Sequence, residues 1–142
     1  MKIKVLLVDD EKEFVDVLAE RLEARDFEVT RTYSGDEALA KVGEQELDVA
    51  VVDVLMPGTD GIETLREIKK VKPIMEVIML TGHATVETAV EGMHQGAFDY
   101  LMKPTETKDL VVKIVNAYKR KAEHEERIRN AEIERIMLRR GF

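Results

Sequence analysis

Short apolar runs alternate along this chain with longer stretches in which apolar residues recur at helical spacing. Ile3 to Val8 is an apolar-rich run, after which Phe14, Val15, Leu18, Ala19 and Leu22 return every few positions, the pattern of a strand followed by an amphipathic helix. The pair repeats as Phe27 to Tyr33 with Glu37 to Glu46, Leu47 to Val52 with Ile62 to Val71, Ile74 to Leu80 with Ala84 to Gln95, and Phe98 to Met102 with a long helix from about Thr105. Val49-Ala50-Val51-Val52 and Val77-Ile78-Met79-Leu80 are apolar at every position, so these strands need cover on both faces. They belong in a central parallel sheet. Right-handed crossovers then predict a doubly wound α/β sandwich of five strands, with ligands bound beyond the carboxyl ends of the strands near the topological switch point.

Composition narrows the function classes. A chain of 142 residues, 44% apolar and 36% charged, can bury a real core as one soluble domain. It has no Cys, which excludes disulfide scaffolds, thiolate zinc sites and cysteine nucleophiles. The apolar stretch at the amino terminus runs straight into Asp9 and Asp10, too short for a secretory core or a membrane span, so a cytoplasmic location without membrane contact is expected. Net charge is −7, made of −10 over residues 1–104 and +3 over residues 105–142. The acidic part should repel nucleic acid, and the tail has alternating signs with no basic block.

Helix starts carry sequence marks. Asp10 precedes Glu13, Ser34 precedes Glu37 and Asp60 precedes Glu63, each by three residues, as in a capping box.

The predicted strand ends carry Asp9 and Asp10, then Tyr33-Ser34, then Asp53, then Thr81, then Lys103-Pro104. Carboxylates from neighbouring strands make a hard-oxygen site suited to Mg²⁺. A divalent ion beside one carboxylate, with a lysine and a hydroxyl opposite, also provides the counter-charge and oxygen nucleophile that phosphoryl transfer requires. Taken singly, each residue has a plainer role: Asp9 and Asp10 as helix caps, Asp53 and Thr81 as loop or turn residues, Lys103 as a surface lysine. Their conjunction in order at the strand ends favours the site.

Val8-Asp9-Asp10-Glu11, Val51 to Gly61 with Asp53 and Met56-Pro57-Gly58, Leu80-Thr81-Gly82-His83-Ala84, and Asp99-Tyr100-Leu101-Met102-Lys103-Pro104 together resemble the receiver domain of bacterial two-component response regulators. The wording is closest to receivers of the nitrogen-regulation class of sigma-54 activators. The resemblance spans residues 1 to about 121. It implies a flavodoxin-like three-layer sandwich with strand order 2-1-3-4-5, a receiver over residues 1–121, and a helical extension over residues 122–142. It implies Asp53 as phosphoacceptor for a sensor histidine kinase or phosphotransfer protein. Asp10 would be the direct Mg²⁺ ligand, Asp9 a ligand through water, and Asp53 and the backbone carbonyl of Leu55 would complete the site. Lys103 would pair with a phosphoryl oxygen, its bond to Pro104 would be cis, and Thr81 and Tyr100 would form the switch pair. The readout surface would be helix four, strand five and helix five.

Two further positions tune the phosphoryl lifetime in this family, here Leu55 and His83. Leu55 cannot hydrogen-bond an attacking water, so slow self-hydrolysis is expected of a switch that is not a turnover enzyme. Two alternatives stand beside it. An aspartate-nucleophile phosphohydrolase would want a second Asp where Leu55 stands, and a phosphate-independent pseudo-receiver scaffold would be expected to lack Asp10, Asp53 or Lys103.

From Thr105 to Arg140 there is no Gly or Pro, enough for a helix of roughly 54 Å. Leu110, Val111, Ile114, Val115 and Tyr118 form a docking stripe. Beyond Lys121 apolar residues thin out, no clean heptad emerges, and opposite charges recur four apart in Lys119/Glu123, Lys121/Glu125, Glu123/Arg127 and Glu125/Arg129. Either a solvated tail or a helix pair joining a homodimer fits. No helix-turn-helix or Walker loop follows, so the chain is expected to be a stand-alone regulator with a protein target, or the receiver and linker of a longer transcriptional activator with a fused output domain.

Overall fold

A computed structural model describes residues 2–56, 60–82 and 85–141; Pro57, Gly58, Thr59, His83 and Ala84 of the motifs above lie outside the described residues. The elements are β1 (Lys4–Val8), α1 (Lys12–Glu23), β2 (Glu28–Thr32), α2 (Gly35–Glu44), β3 (Val49–Val52), α3 (Gly61–Val71), β4 (Glu76–Thr81), α4 (Val86–His94), β5 (Asp99–Met102) and α5 (Thr107–Arg139). The strands form one parallel sheet in the order β2-β1-β3-β4-β5. The chain therefore reverses direction across the sheet at β1, and the neighbouring ends of β1 and β3 mark the switch point. The register Val8↔Val52 puts the next residues, Asp9 and Asp53, side by side at the carboxyl edge.

Every residue of β3 and β4 is buried, as their continuous apolar runs require. One face of the sheet packs Leu6, Val8, Ala50, Val52, Val77 and Met79 against α2 and α3. The other packs Val5, Leu7, Val49, Val51, Ile78 and Leu80 against α1 and the first half of α5. No helix among the described residues is long and apolar enough to cross a membrane.

The helix caps correct part of the sequence reading. Ser34 accepts from the Glu37 backbone N–H at 3.1 Å and Asp60 from that of Glu63 at 2.8 Å. Asp10 caps nothing: α1 begins at Lys12 with Glu11 as its N-cap, and no side chain bonds that cap. The β1–α1 loop instead turns on Asp9, whose Oδ1 accepts from the Glu11 N–H at 3.0 Å, leaving the Asp10 carboxylate available. A full capping box occurs where none was expected, between Thr85 and Thr88 at the start of α4.

Glu76, the first residue of β4, is 1% exposed. A buried carboxylate is tolerable only with charged partners: Lys69 of α3 hydrogen-bonds Oε1 at 3.2 Å, and Arg120 of α5 stands 2.7 Å from Oε2 as a charge partner without hydrogen-bond geometry. Beside it Lys121, the last buried residue of α5, reaches Asp48 at 2.9 Å and Glu125 at 3.0 Å. Beyond Lys121 the helix leaves the domain. Of the four expected ion pairs along it Lys121/Glu125 forms, while Arg129 turns to Glu126 at 3.4 Å.

The Glu76 cluster generates a stability prediction. Lys69→Ala with Arg120→Ala, which strands a buried charge, should cost about 3–5 kcal/mol, whereas Glu76→Met, which removes the charge at similar volume, should cost less than about 1 kcal/mol. Urea unfolding of the two variants checks the order.

Candidate functional site

The carboxyl edge of the sheet brings together residues from three separate strand ends. Asp9 follows β1 and is 4% exposed; Asp53 follows β3 and is 3% exposed. Asp10 is exposed at the rim, and the three carboxylates each offer an oxygen within 4.8 Å of the others. Lys103 follows β5 through a backbone N–H bond to the Thr81 carbonyl at 2.9 Å, and its bond to Pro104 is cis.

The Lys103 ammonium lies 2.5 Å from Asp9 Oδ2, 3.1 Å from Glu11 Oε1 and 3.9 Å from Asp53 Oδ2. Its side chain is only 13% exposed and stands over the Phe14 ring, 4.1 Å from the centroid. Burial by itself would push the ammonium toward neutrality, but hydrogen bonds to Asp9 and Glu11 and the charges of Asp9 and Asp53 prevail and hold its pKa above the ordinary lysine value. The Asp9 pKa is also raised: burial lifts it above the usual carboxylate range, the Lys103 and Glu11 bonds only partly oppose this, and the Asp53 charge adds to the rise.

Asp53 Oδ1 is buried and has no hydrogen-bond partner among the described residues. A buried acceptor without a partner is costly in a finished fold, and marks a place where an incoming group completes the site. Three converging carboxylate oxygens with one of them unsatisfied fit a hard divalent cation. Asp53 is held there by its backbone, whose N–H donates to Val8 at 2.9 Å, and by the close approach of Gly61 at the start of α3. Gly61 donates to the Val54 carbonyl at 2.8 Å, and a Cβ at this position would collide with the Asp53 carbonyl.

Thr81 is fully buried at the end of β4. Tyr100 of β5 is half-buried: its ring packs on the core beside α3, and its hydroxyl shares a 2.9 Å hydrogen bond with Thr88 of α4. Leu55, two residues past Asp53, has an exposed side chain, and His83 lies outside the described residues.

The structure thus brings Asp9, Asp10, Asp53 and Lys103 into one site. Sequence reasoning missed Glu11 and Phe14 as Lys103 contacts, Gly61 as the residue permitting the α3 approach, and Thr88 as the Tyr100 partner. Phe14 falls on the apolar stripe of α1 and so reads as core. The Asp60-Gly61 pair at a helix start was the one available signal for Gly61.

Residues 5–115 match the response regulator receiver domain family. The chain is 43% identical over 103 residues to transcriptional regulatory protein ZraR of Salmonella typhimurium, covering 72% of this chain and 23% of that relative. Thus it spans about a quarter of the curated relative's length. A CheY-like response regulator receiver domain protein from Methanospirillum hungatei superposes with a TM-score of 0.84 at 31% identity, covering 87% of this chain and 99% of that one. A response regulator from Burkholderia pseudomallei, whose structure carries a phosphorylated aspartic acid, a calcium ion and citrate, superposes with a TM-score of 0.77 at 26% identity, covering 98% and 86%.

The Gly61 contact gives a direct test of how the site is held. Because the colliding atoms are backbone and cannot rotate away, Gly61→Ala should cost about 3 kcal/mol or more in urea unfolding, while Gly43→Ala, whose Cβ meets open space, should be neutral or stabilising.

Proposed function

The chain belongs to the response regulator receiver domain family, and from that premise we propose that it is a phosphoacceptor switch in which Asp53 receives a phosphoryl group from a sensor histidine kinase or phosphotransfer protein. The observation that carries this reading is the buried, partnerless Asp53 Oδ1 among three carboxylates and one ammonium. An Asp53 oxygen attacks phosphorus in line, the new P–O bond forms as the P–N bond to the donor imidazole breaks, and charge spreads over the equatorial oxygens. Lys103 offers its ammonium to one of them. Mg²⁺, held by Asp10, Asp53 and the Leu55 carbonyl, with Asp9 acting through water, would supply the remaining counter-charge. The Burkholderia relative's phosphorylated aspartic acid and calcium ion support the same chemistry here.

The adduct adds up to two negative charges and strong acceptors beside the strand ends, which favours a conformer in which Thr81 and Lys103 both reach it. Tyr100 follows, and the surface of α4, β5 and α5 changes. The receiver occupies residues 1–121, a division supported by Lys121 being the last buried residue of α5. The output is a protein target or, as the partial match to ZraR suggests, a fused domain in a longer chain. This is a switch whose aspartyl phosphate turns over slowly, consistent with an exposed apolar Leu55 beside Asp53.

Incubation with acetyl phosphate and Mg²⁺ should add one phosphoryl mass to the wild type and none to Asp53→Asn, with a wild-type adduct that persists for minutes in intact-mass spectra. No adduct on the wild type would refute the reading, and decay within seconds would refute the role given to Leu55.

Residues 122–139 continue α5 with Ile128, Ile133, Ile136 and Leu138 exposed, and we propose that this extension pairs with a second copy. Sedimentation at tens of micromolar should then give a dimer for the full chain and a monomer for a chain ending at residue 124; a monomeric full chain contradicts the pairing.

A further inference from the structure

Glu11 stands at an unusual place for a glutamate. It is the N-cap of α1, a position that favours Ser, Thr, Asp or Asn, yet its carboxylate bonds no helix N–H. That carboxylate goes instead to Lys103 at 3.1 Å. The contact belongs to a closed triangle: Asp9 Oδ1 accepts from the Glu11 backbone N–H at 3.0 Å, and Asp9 Oδ2 and Glu11 Oε1 both accept from the Lys103 ammonium. The β1–α1 loop thereby fixes Glu11 against the lysine.

An ammonium has three protons. Asp9 and Glu11 take hydrogen bonds and the Phe14 ring covers a further side, while Asp53 at 3.9 Å lies beyond hydrogen-bond range. Lys103 is therefore engaged, and Asp53 keeps an unsatisfied carboxylate although a cation stands next to it. The two anions that hold the lysine differ. Asp9 is buried and fixed at both oxygens, whereas the Glu11 side chain is 64% exposed and can exchange its contact for water.

From this asymmetry we infer that Glu11 is a positioning residue that withholds Lys103 from Asp53 in the resting protein and competes with a phosphoryl oxygen for it. The inference rests on the phosphoacceptor reading above. Two consequences follow. The resting Asp53 keeps an unsatisfied Oδ1 and only a loose ion pair to Lys103 at 3.9 Å, and the phosphorylated state forms a close lysine contact only by giving up the Glu11 contact. Glu11 thus sets how strongly the site holds an anion on Asp53, through Lys103 and without touching the reacting atoms.

The test uses beryllofluoride, which forms a phosphoryl-like adduct with a carboxylate, titrated calorimetrically into the full chain at saturating Mg²⁺. Glu11→Gln removes the competing charge and should bind beryllofluoride about two- to five-fold more tightly than the wild type, the range of an exposed ion pair. Glu13→Gln removes a charge from the first turn of α1 and should leave the affinity unchanged. In the metal-free protein the Lys103 15Nζ resonance should shift in Glu11→Gln and stay in place in Glu13→Gln. Unchanged or weaker binding in Glu11→Gln, an equal tightening in Glu13→Gln, or an unmoved Lys103 resonance overturns the inference. A wild type that binds no beryllofluoride overturns the phosphoacceptor reading itself and the inference with it, and so is a distinct outcome.

Discussion

Everything at the working end of this molecule depends on three carboxylates being gathered against a single ammonium. At separations within 4.8 Å, the repulsion between Asp9 and Asp53 is about 3–4 kcal/mol for an effective dielectric near 20. Folding does not relieve it: the backbone registers of β1 and β3 set both aspartates side by side, and no adjustment of side chains can separate strand ends. Lys103 offsets part of this charge, which is why it remains protonated despite burial. The remainder is uncompensated acidic charge of the kind the proposed cation site requires, obtained at the expense of stability in the manner of functional sites generally.

The opposite edge of the sheet shows what a balanced arrangement of the same residue types looks like. There Glu76 is shared by Lys69 and Arg120, and Asp48 by Lys121 and the Lys4 backbone N–H. Acid and base are matched, and the result is a brace. It joins α3, the starts of β3 and β4, and the point where α5 leaves the domain, so the emerging helix starts from a fixed direction. One edge of the sheet carries surplus acid, as the proposed site requires; the other pairs its acids with bases and braces the parts.

The elements of the fold were legible because the central strands have apolar runs and each helix a recurring apolar face, and both signals are properties of local sequence; the polar edge strand β2, Glu28–Thr32, was placed by its position between two helices. The site residues Asp9, Asp10, Asp53 and Lys103 were legible as strand-end chemistry for the same reason, since a parallel sheet sends all its carboxyl ends to one edge. What sequence did not disclose is pairwise and distant. Glu76 sits in a run otherwise apolar, and its partners lie on two other elements. Asp10 looks like a helix cap by spacing to Glu13, but Asp9 wins the loop backbone first. Glu11, like Asp9, bonds Lys103 across a sequence separation of 92 or 94 residues that only the folded sheet closes, and Phe14 meets the same ammonium from α1. For Phe14 no pattern on its own helix could have distinguished core from site.

The same logic gives the proposed switch a route by which a charge placed on Asp53 would be felt at α4. Tyr100 is anchored at two points of different strength: its ring lies on the core beside α3, and its hydroxyl shares one hydrogen bond with Thr88. Thr88 also closes the capping box with Thr85, so the hydroxyl is tied to the first turn of α4, while the ring edge packs beside Gly92 near the end of that helix. A neutral hydrogen bond of this kind is worth about 1 kcal/mol net, whereas hydrogen bonds to an ionised group are worth about 1.5–3 kcal/mol each. In the proposed switch, a phosphoryl group that recruited even one hydroxyl and one ammonium would outweigh the Tyr100–Thr88 tie. In the proposed switch, breaking that tie would loosen the start of α4 while the core contacts of the ring persist, and so would direct the response to a helix whose exposed residues include Val86, Val90 and Met93.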